Sequence, residues 1–254
     1  MARFKVGAVI HQQHCSLDDV RAGWRAAEAL GVDSLWDWDH FFTMDGDRDG
    51  LHYEGLTLLA AMAVETTHPQ IGTMVTCVSY RNPDLLADMA RTIDHLSHGR
   101  MILGLGAGWF ERDYEEYGFP FGTAMDRLER LEQDAIPRIK ERLTRLNPPP
   151  VGPMPIMLGG DGKDVTLRIA AEHADIWNGF GPIERYRERN AILDTWCERV
   201  GRDPATLERS VLIDTDEAAD VEAFHQAGAT HIVIGIDAPF DLAPVEAALE
   251  LARG

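Results

Sequence analysis

Apolar residues along this chain fall into two alternating rhythms. A short run of β-branched and aliphatic residues is followed by a polar turn. A stretch with apolar positions every three or four residues comes next, and then a glycine. The first run covers residues 4–10. Ser16 stands as a helix cap, with Asp18 and Asp19 in a first turn where the helix dipole favours negative charge. Leu17, Val20, Trp24, Ala27 and Leu30 share one helical face, and Gly31 supplies the left-handed stop. Runs at 32–39 and 71–76 predict the second and third strands. Asn82-Pro83 predicts a helix start, a cap followed by proline at the first helical position. Leu85, Leu86, Met89, Ile93 and Leu96 are the expected core face of that helix, and Gly99 its end.

The rhythm continues through a strand at 101–105 and a long charged helix at 125–146. Strands five to eight are expected at 155–158, 175–178, 210–213 and 231–236. Helices should follow Lys163, run from 184 to 200, and carry the stripe Ala218, Val221, Phe224 and Ala227. Eight strands alternating with helices predict parallel pairing, and eight such units close into a (β/α)8 barrel. The rival is an open doubly wound sheet. The Pro-rich stretch at 147–153 is too short and stiff to separate domains, so residues 1–254 are expected to form one.

Composition narrows the partners. The 254 residues are 45% hydrophobic and 26% charged, with a formal net charge of −18. Nucleic acid requires a basic footprint that this chain lacks, and an anionic membrane surface is also disfavoured. Three scattered cysteines and an N-terminus with interleaved charges, lacking a signal-peptide pattern, predict a reducing, cytoplasmic location. No segment approaches the ~18 apolar residues of a membrane span.

In such a barrel the chemistry lies just beyond the C-terminal ends of the strands. Asp39-His40 follows strand two, either as a proton-handling pair or as a hydrogen-bonded structural one. Strand four runs into Gly104-Leu-Gly-Ala-Gly108-Trp109. These glycines either admit a planar or phosphorylated ligand or form a tight turn. Trp109 occupies the last glycine of the dinucleotide fingerprint, so that motif is excluded. Gly159-Gly160-Asp161-Gly162-Lys163, just before a helix, offers amides and a cation for a phosphate. Cys77 lacks a nucleophile motif and is expected to be a packed residue. His11 and His14 have no third ligand at sensible spacing, so no metal is expected, and His11 is a candidate pocket residue.

Four segments then carry a resemblance: DSLWDWDHFF, IGTMVTCVSYRNPDLLADMARTIDHLSHGRMILGLGAGWFERDYEEYGFPF, PIMLGGDGKDVTLRIAAEHADIWN and GRDPATLE. In this order they resemble the luciferase-like monooxygenase superfamily, and particularly its coenzyme F420-dependent oxidoreductase branch. The resemblance implies a luciferase-like barrel with a flavin-type ring at its mouth and its phosphate near Gly159, Gly160 and Gly162, helped by Asp161 and Lys163. It implies a non-prolyl cis bond at Met74–Val75, which with Thr76 forms a bulge behind the ring. Gly106, Ala107 and Gly108 would let the neighbouring loop approach the coenzyme.

By the same resemblance His40 is the acid or base. Asp39 is its orienting partner or an acceptor for the coenzyme, and Trp109 walls the substrate pocket. Two departures stand out. Trp109 replaces the acid of sugar-phosphate-oxidising branches, and the usual insertion before strand five is shortened to Asn147-Pro-Pro-Pro.

The expected activity is hydride transfer between F420 and a small uncharged organic molecule. Alternatives are an FMN-dependent monooxygenase or reductase, a non-catalytic deazaflavin-binding protein, and a flavin-free lyase or isomerase. Members of the family often pair, so a homodimer is compatible with the sequence.

Overall fold

The computed structural model describes residues 2–254; Met1, where the expected single domain begins, lies outside them. Nine strands form one parallel sheet. They are β1 (Lys5–Ile10), β2 (Ser34–Asp37), β3 (Gln70–Thr73), β4 (Thr76–Cys77), β5 (Met101–Gly106), β6 (Ile156–Gly159), β7 (Ile176–Phe180), β8 (Glu208–Ile213) and β9 (His231–Ile236). β1 pairs with both β2 and β9, and β3 pairs with both β2 and β5, so the ring closes. β3 and β4 are two halves of the third barrel strand, giving eight staves. The open sheet is excluded.

Small glycines and large side chains fill the interior. Val9, Trp36, Ile102, Met157, Ile176 and Val233 pack inside the ring. Trp36 donates from Nε1 to Ser34 Oγ at 2.7 Å, and His231 Nε2 lies 2.7 Å from that oxygen. A Cβ on Gly7 would sit 2.2 Å from Ser34 Oγ, which is why β1 carries glycine there.

The outer layer is α1 (Leu17–Leu30), α2 (Gly55–Glu65), α3 (Pro83–Leu96), α4 (Glu111–Tyr117), α5 (Ala124–Glu129), α6 (Ile136–Arg145), α7 (Thr166–His173), α8 (Ile183–Arg199), α9 (Val221–Gln226) and α10 (Ala243–Arg253). Ser16 closes a capping box with Asp19, and Gly31 ends α1 at φ 88°. The charged helix expected at 125–146 is α5 and α6 joined by a π-helical turn, Arg130–Ala135, just before Pro137. No described helix is long and apolar enough to cross a membrane.

Two departures from the expected pattern have physical causes. α2 was not anticipated because it is apolar on nearly every side, leaving no periodic polar face. On α3, Leu85 is 54% exposed and Leu96 is also exposed. The buried stripe keeps Leu86 and Ile93 and adds Ala87, Ala90 and Asp94, so alanines face the core where Leu85 and Leu96 were expected. The connection at 147–153, expected to be short and stiff, is docked against α3. Asp94 accepts from the amides of Val151 and Gly152 at 2.7 and 3.0 Å, and Arg91 donates to Pro148 O at 3.0 Å.

Candidate functional site

A cavity of 690 Å³ opens at the C-terminal rim of the barrel, within the size range of small-molecule sites. His11, Asp39, His40, Met74, Val75, Trp109 and the glycines at 106, 108, 159, 160 and 162 all line it, with Ala107 and Asp161. Sequence positions from five strand ends therefore meet. Thr76 and Lys163 do not line it.

The floor is the interruption between β3 and β4. Gly72 pairs with Ile102 and Thr76 with Leu105. Four steps on one strand oppose three on the other, which is a one-residue bulge. The Met74–Val75 peptide inside it is cis. Val75 turns its side chain across the ring into space that three glycines leave free. A Cβ on Gly106 would stand 2.5 Å from Val75 Cγ2, one on Gly159 2.9 Å from Val75 Cγ1, and one on Gly104 3.3 Å from the same atom. Gly106 and Gly108 line the cavity and also make room for their neighbours. Gly106 seats Val75, and Gly108, at φ 81°, leaves room for Tyr114 Oη and Cys77 Sγ, which a Cβ would meet at 2.1 and 2.5 Å. Thr76 is fully buried in β4, behind this floor.

One wall is a buried polar cluster. His40 Nδ1 lies 2.8 Å from Asp113 Oδ2, on the first turn of α4. Asp39 is not the partner of His40. Its two oxygens accept from Arg81 Nη1 and Nη2 at 2.6 and 2.7 Å, and Oδ2 also accepts from the Cys77 amide at 2.9 Å. Arg81 donates as well to Glu54 at 2.5 Å. A carboxylate committed to a bidentate arginine and an amide is a structural anchor between β4 and the end of β2. Cys77 is packed as expected, its Sγ 3.2 Å from Tyr114 Oη, and burial pushes its thiol up.

Aromatic rings surround the imidazole. Trp38 stacks on His11 at 4.2 Å and meets His40 edge-on at 6.1 Å. Trp109, 64% exposed, approaches His40 edge-on at 5.8 Å. Gln12 fixes Trp38 through both its backbone groups, and Trp38 Nε1 donates to His52 Nε2 at 3.0 Å. Burial, reinforced by His40 nearby, lowers the His52 pKa to about 4, so His52 is a neutral acceptor at pH 7. His11 Nδ1 pairs with Asp237 at 2.8 Å, a hydrogen bond that holds the Asp237 carboxyl below its usual range.

The opposite wall is the loop after β6. Gly160 has φ 122°, and Gly160 and Gly162 crowd Thr166, whose Cγ2 and Oγ1 would lie 3.0 and 2.7 Å from added Cβ atoms. α7 begins there with no side-chain cap, and the Leu167 amide of its first turn donates to Gly162 O at 3.0 Å. Lys163 lies outside the cavity lining: it is 46% exposed and pairs with Glu188 on α8. Asp161 likewise faces α8, bonding Arg185, while Arg189 Nε donates to Asp161 O at 2.8 Å. Spacing gave no signal for Arg127, the cavity's arginine. Its Nε donates to Gly108 O at 2.9 Å and its guanidinium stacks 4.0 Å from the Phe121 ring.

A closed parallel barrel whose third stave is bulged at a cis peptide, with an imidazole and a glycine loop facing each other across its mouth, defines a small-molecule site of the α/β-barrel enzyme class. The luciferase-like monooxygenase family model matches residues 1–245, and the chain belongs to that family. An uncharacterised protein of Mycobacterium tuberculosis is 27% identical over 253 residues, covering 87% of this chain and 85% of that one. The F420-dependent hydroxymycolic acid dehydrogenase of the same organism is 29% identical over 241 residues, 84% of this chain and 64% of the relative. Two solved structures share the fold. An F420-dependent secondary alcohol dehydrogenase in complex with an F420-acetone adduct superposes with TM-score 0.87, at 15% identity over 99% of both chains. The oxygenating constituent of 3,6-diketocamphane monooxygenase from Pseudomonas putida, in complex with FMN, gives 0.72 at 14% identity over 99% and 97% of the two chains.

Proposed function

We propose that this protein is an F420-dependent oxidoreductase acting on a small, uncharged alcohol or carbonyl compound, in the cytoplasm. The observation that carries the reading is His40. Its Nδ1 is taken by Asp113, and its Nε2 has no partner among the described residues on the edge of a cavity large enough for a tricyclic ring.

The chain's donors and shape fit such a coenzyme. Met74 and Val75 would back the ring, and Gly159, Gly160, Gly162 and Thr166, at the uncapped N-terminus of α7, would hold its phosphate. The coenzyme, when bound, supplies the two-electron hydride chemistry. His40 handles the proton. In the oxidative direction a substrate hydroxyl gives its proton to Nε2 while the carbinol C–H bond breaks and its electron pair leaves with the hydride. Trp109 and the stacked His11 and Trp38 exclude water from that step. FMN is the alternative occupant, because it offers the same phosphate to the same loop. A non-catalytic carrier is the other alternative.

The test is anaerobic turnover of reduced F420 against a panel of small ketones and aldehydes, followed by absorbance. His40→Ala should lower kcat by roughly 10²–10⁴-fold, with coenzyme affinity nearly unchanged. Equal kcat in the variant would remove His40 from the reaction; binding without turnover would favour the carrier.

A further inference from the structure

The two carboxylates beside His40 are treated differently by the fold. Asp39 has a resident cation, Arg81. Asp113 is 0% exposed and pairs with no lysine or arginine among the described residues. Three donors converge on it instead. His40 Nδ1 lies 2.8 Å from Oδ2, Tyr80 Oη donates to Oδ2 at 3.0 Å, and the Phe41 amide donates to Oδ1 at 3.1 Å. Burial, with Cys77 and Asp113 nearby, pushes the Tyr80 phenol up, so it remains a neutral donor.

We propose that Asp113 is the positioning residue for His40, with Tyr80 and the Phe41 amide fixing Asp113 in turn. This rests on the reading of His40 as the proton-handling group. Accepting from Nδ1 commits the neutral imidazole to the Nδ1–H tautomer, which leaves the lone pair on Nε2 for substrate. The positive charge His40 takes on with a proton lies directly against Asp113, a fully buried carboxylate paired with no lysine or arginine among the described residues. Phe110 and Trp109 hold the ring edge-on at 5.3 and 5.8 Å, so the imidazole cannot swing away from the cavity. Asp113 stands on the short helix α4, directly after the glycine run, and Arg112 beside it ties that helix to Asp49 at 2.6 Å. The glycine run therefore delivers an acid to the histidine of another strand end.

The experiment compares Asp113→Asn, Asp113→Glu and Tyr80→Phe with the unaltered protein. It uses two readouts: kcat with coenzyme Kd, and the ¹⁵N spectrum of His40, assigned by the signal lost in His40→Gln. An asparagine can present its NH2 to Nδ1 and select the other tautomer. The expected result for Asp113→Asn is a kcat loss of roughly 10²–10⁴-fold, coenzyme Kd within about threefold, and a His40 signal moved to the Nε2–H form. Asp113→Glu should regain at least tenfold of the loss, and Tyr80→Phe should lose less than tenfold while keeping the tautomer. An unchanged His40 tautomer in folded Asp113→Asn overturns the proposal. If the wild type turns over nothing, the functional reading fails, and the coenzyme-free ¹⁵N spectrum still decides the role of Asp113.

Discussion

The two walls of the cavity are built on opposite principles. On the side of β2, β4 and α4, the groups lining or supporting the cavity are fixed by buried side chains. Asp39 is clamped by Arg81, Asp113 by three donors, and Trp38 by Gln12. On the side of β6 and α7 the cavity is lined by a glycine-rich backbone, and the nearby charges are spent on pairs with α8. Proton transfer needs an atom held in place to a fraction of an ångström, whereas a phosphate is satisfied by amides and a helix terminus. The difference teaches that residues on the first wall are coupled to one another and those on the second are nearly independent.

The largest effect should come from the floor that joins the walls. Gly106→Val places atoms where Val75 sits, so coenzyme affinity should fall by more than about 100-fold with a lowered Tm, and Val75→Ala in the same chain should restore part of both. Additive losses in the pair would break the claimed coupling. Next, Arg81→Met leaves Asp39 and Glu54 without their cation, and urea unfolding should show a loss of about 3–5 kcal/mol. A loss under ~1 kcal/mol would mean the cluster is not the anchor described.

A smaller effect is expected from pH. With a folded pKa of about 4 against an ordinary 6.5, His52 binds fewer protons folded than unfolded in that window. Stability should therefore decline as pH falls from 6.5 toward 4, and by less in His52→Gln, which keeps an acceptor for Trp38. Glu208, lowered to about 2 despite its burial by hydrogen bonds from His231 and Lys5, loses its contribution only below 4.5, so the two windows separate in a Tm series. The smallest effect belongs to the open wall. Lys163→Glu should leave coenzyme affinity within about twofold, because an exposed pair is worth ~0–1 kcal/mol; a large loss would put Lys163 back in the site.

Much of this was legible in the residues. Glycines at helix ends and β-branched runs gave the barrel, and strand ends gave His40 and the loop at 159–162. What was not legible depends on approach across the ring. Nothing in the spacing of Asp113 announces that it reaches His40, since the two stand on different elements. Adjacency favoured Asp39, whose side chain the strand end carries to Arg81 instead. Spacing also does not show that the chain turns into α7 and presents the Lys163 side chain to Glu188. Gly106 of β5 lines the cavity, and only the closed barrel reveals Val75 packed against it.

The central claim is that the bulge, the glycine loop and His40 together enclose one tricyclic redox coenzyme. The direct measurement is a fluorescence titration of wild type and Gly159→Val with F420 and FMN, side by side. The account predicts saturable one-to-one binding of F420 by the wild type and its loss in Gly159→Val, where a side chain would collide with Val75. Failure to bind either coenzyme, or undiminished F420 binding by Gly159→Val, would contradict it.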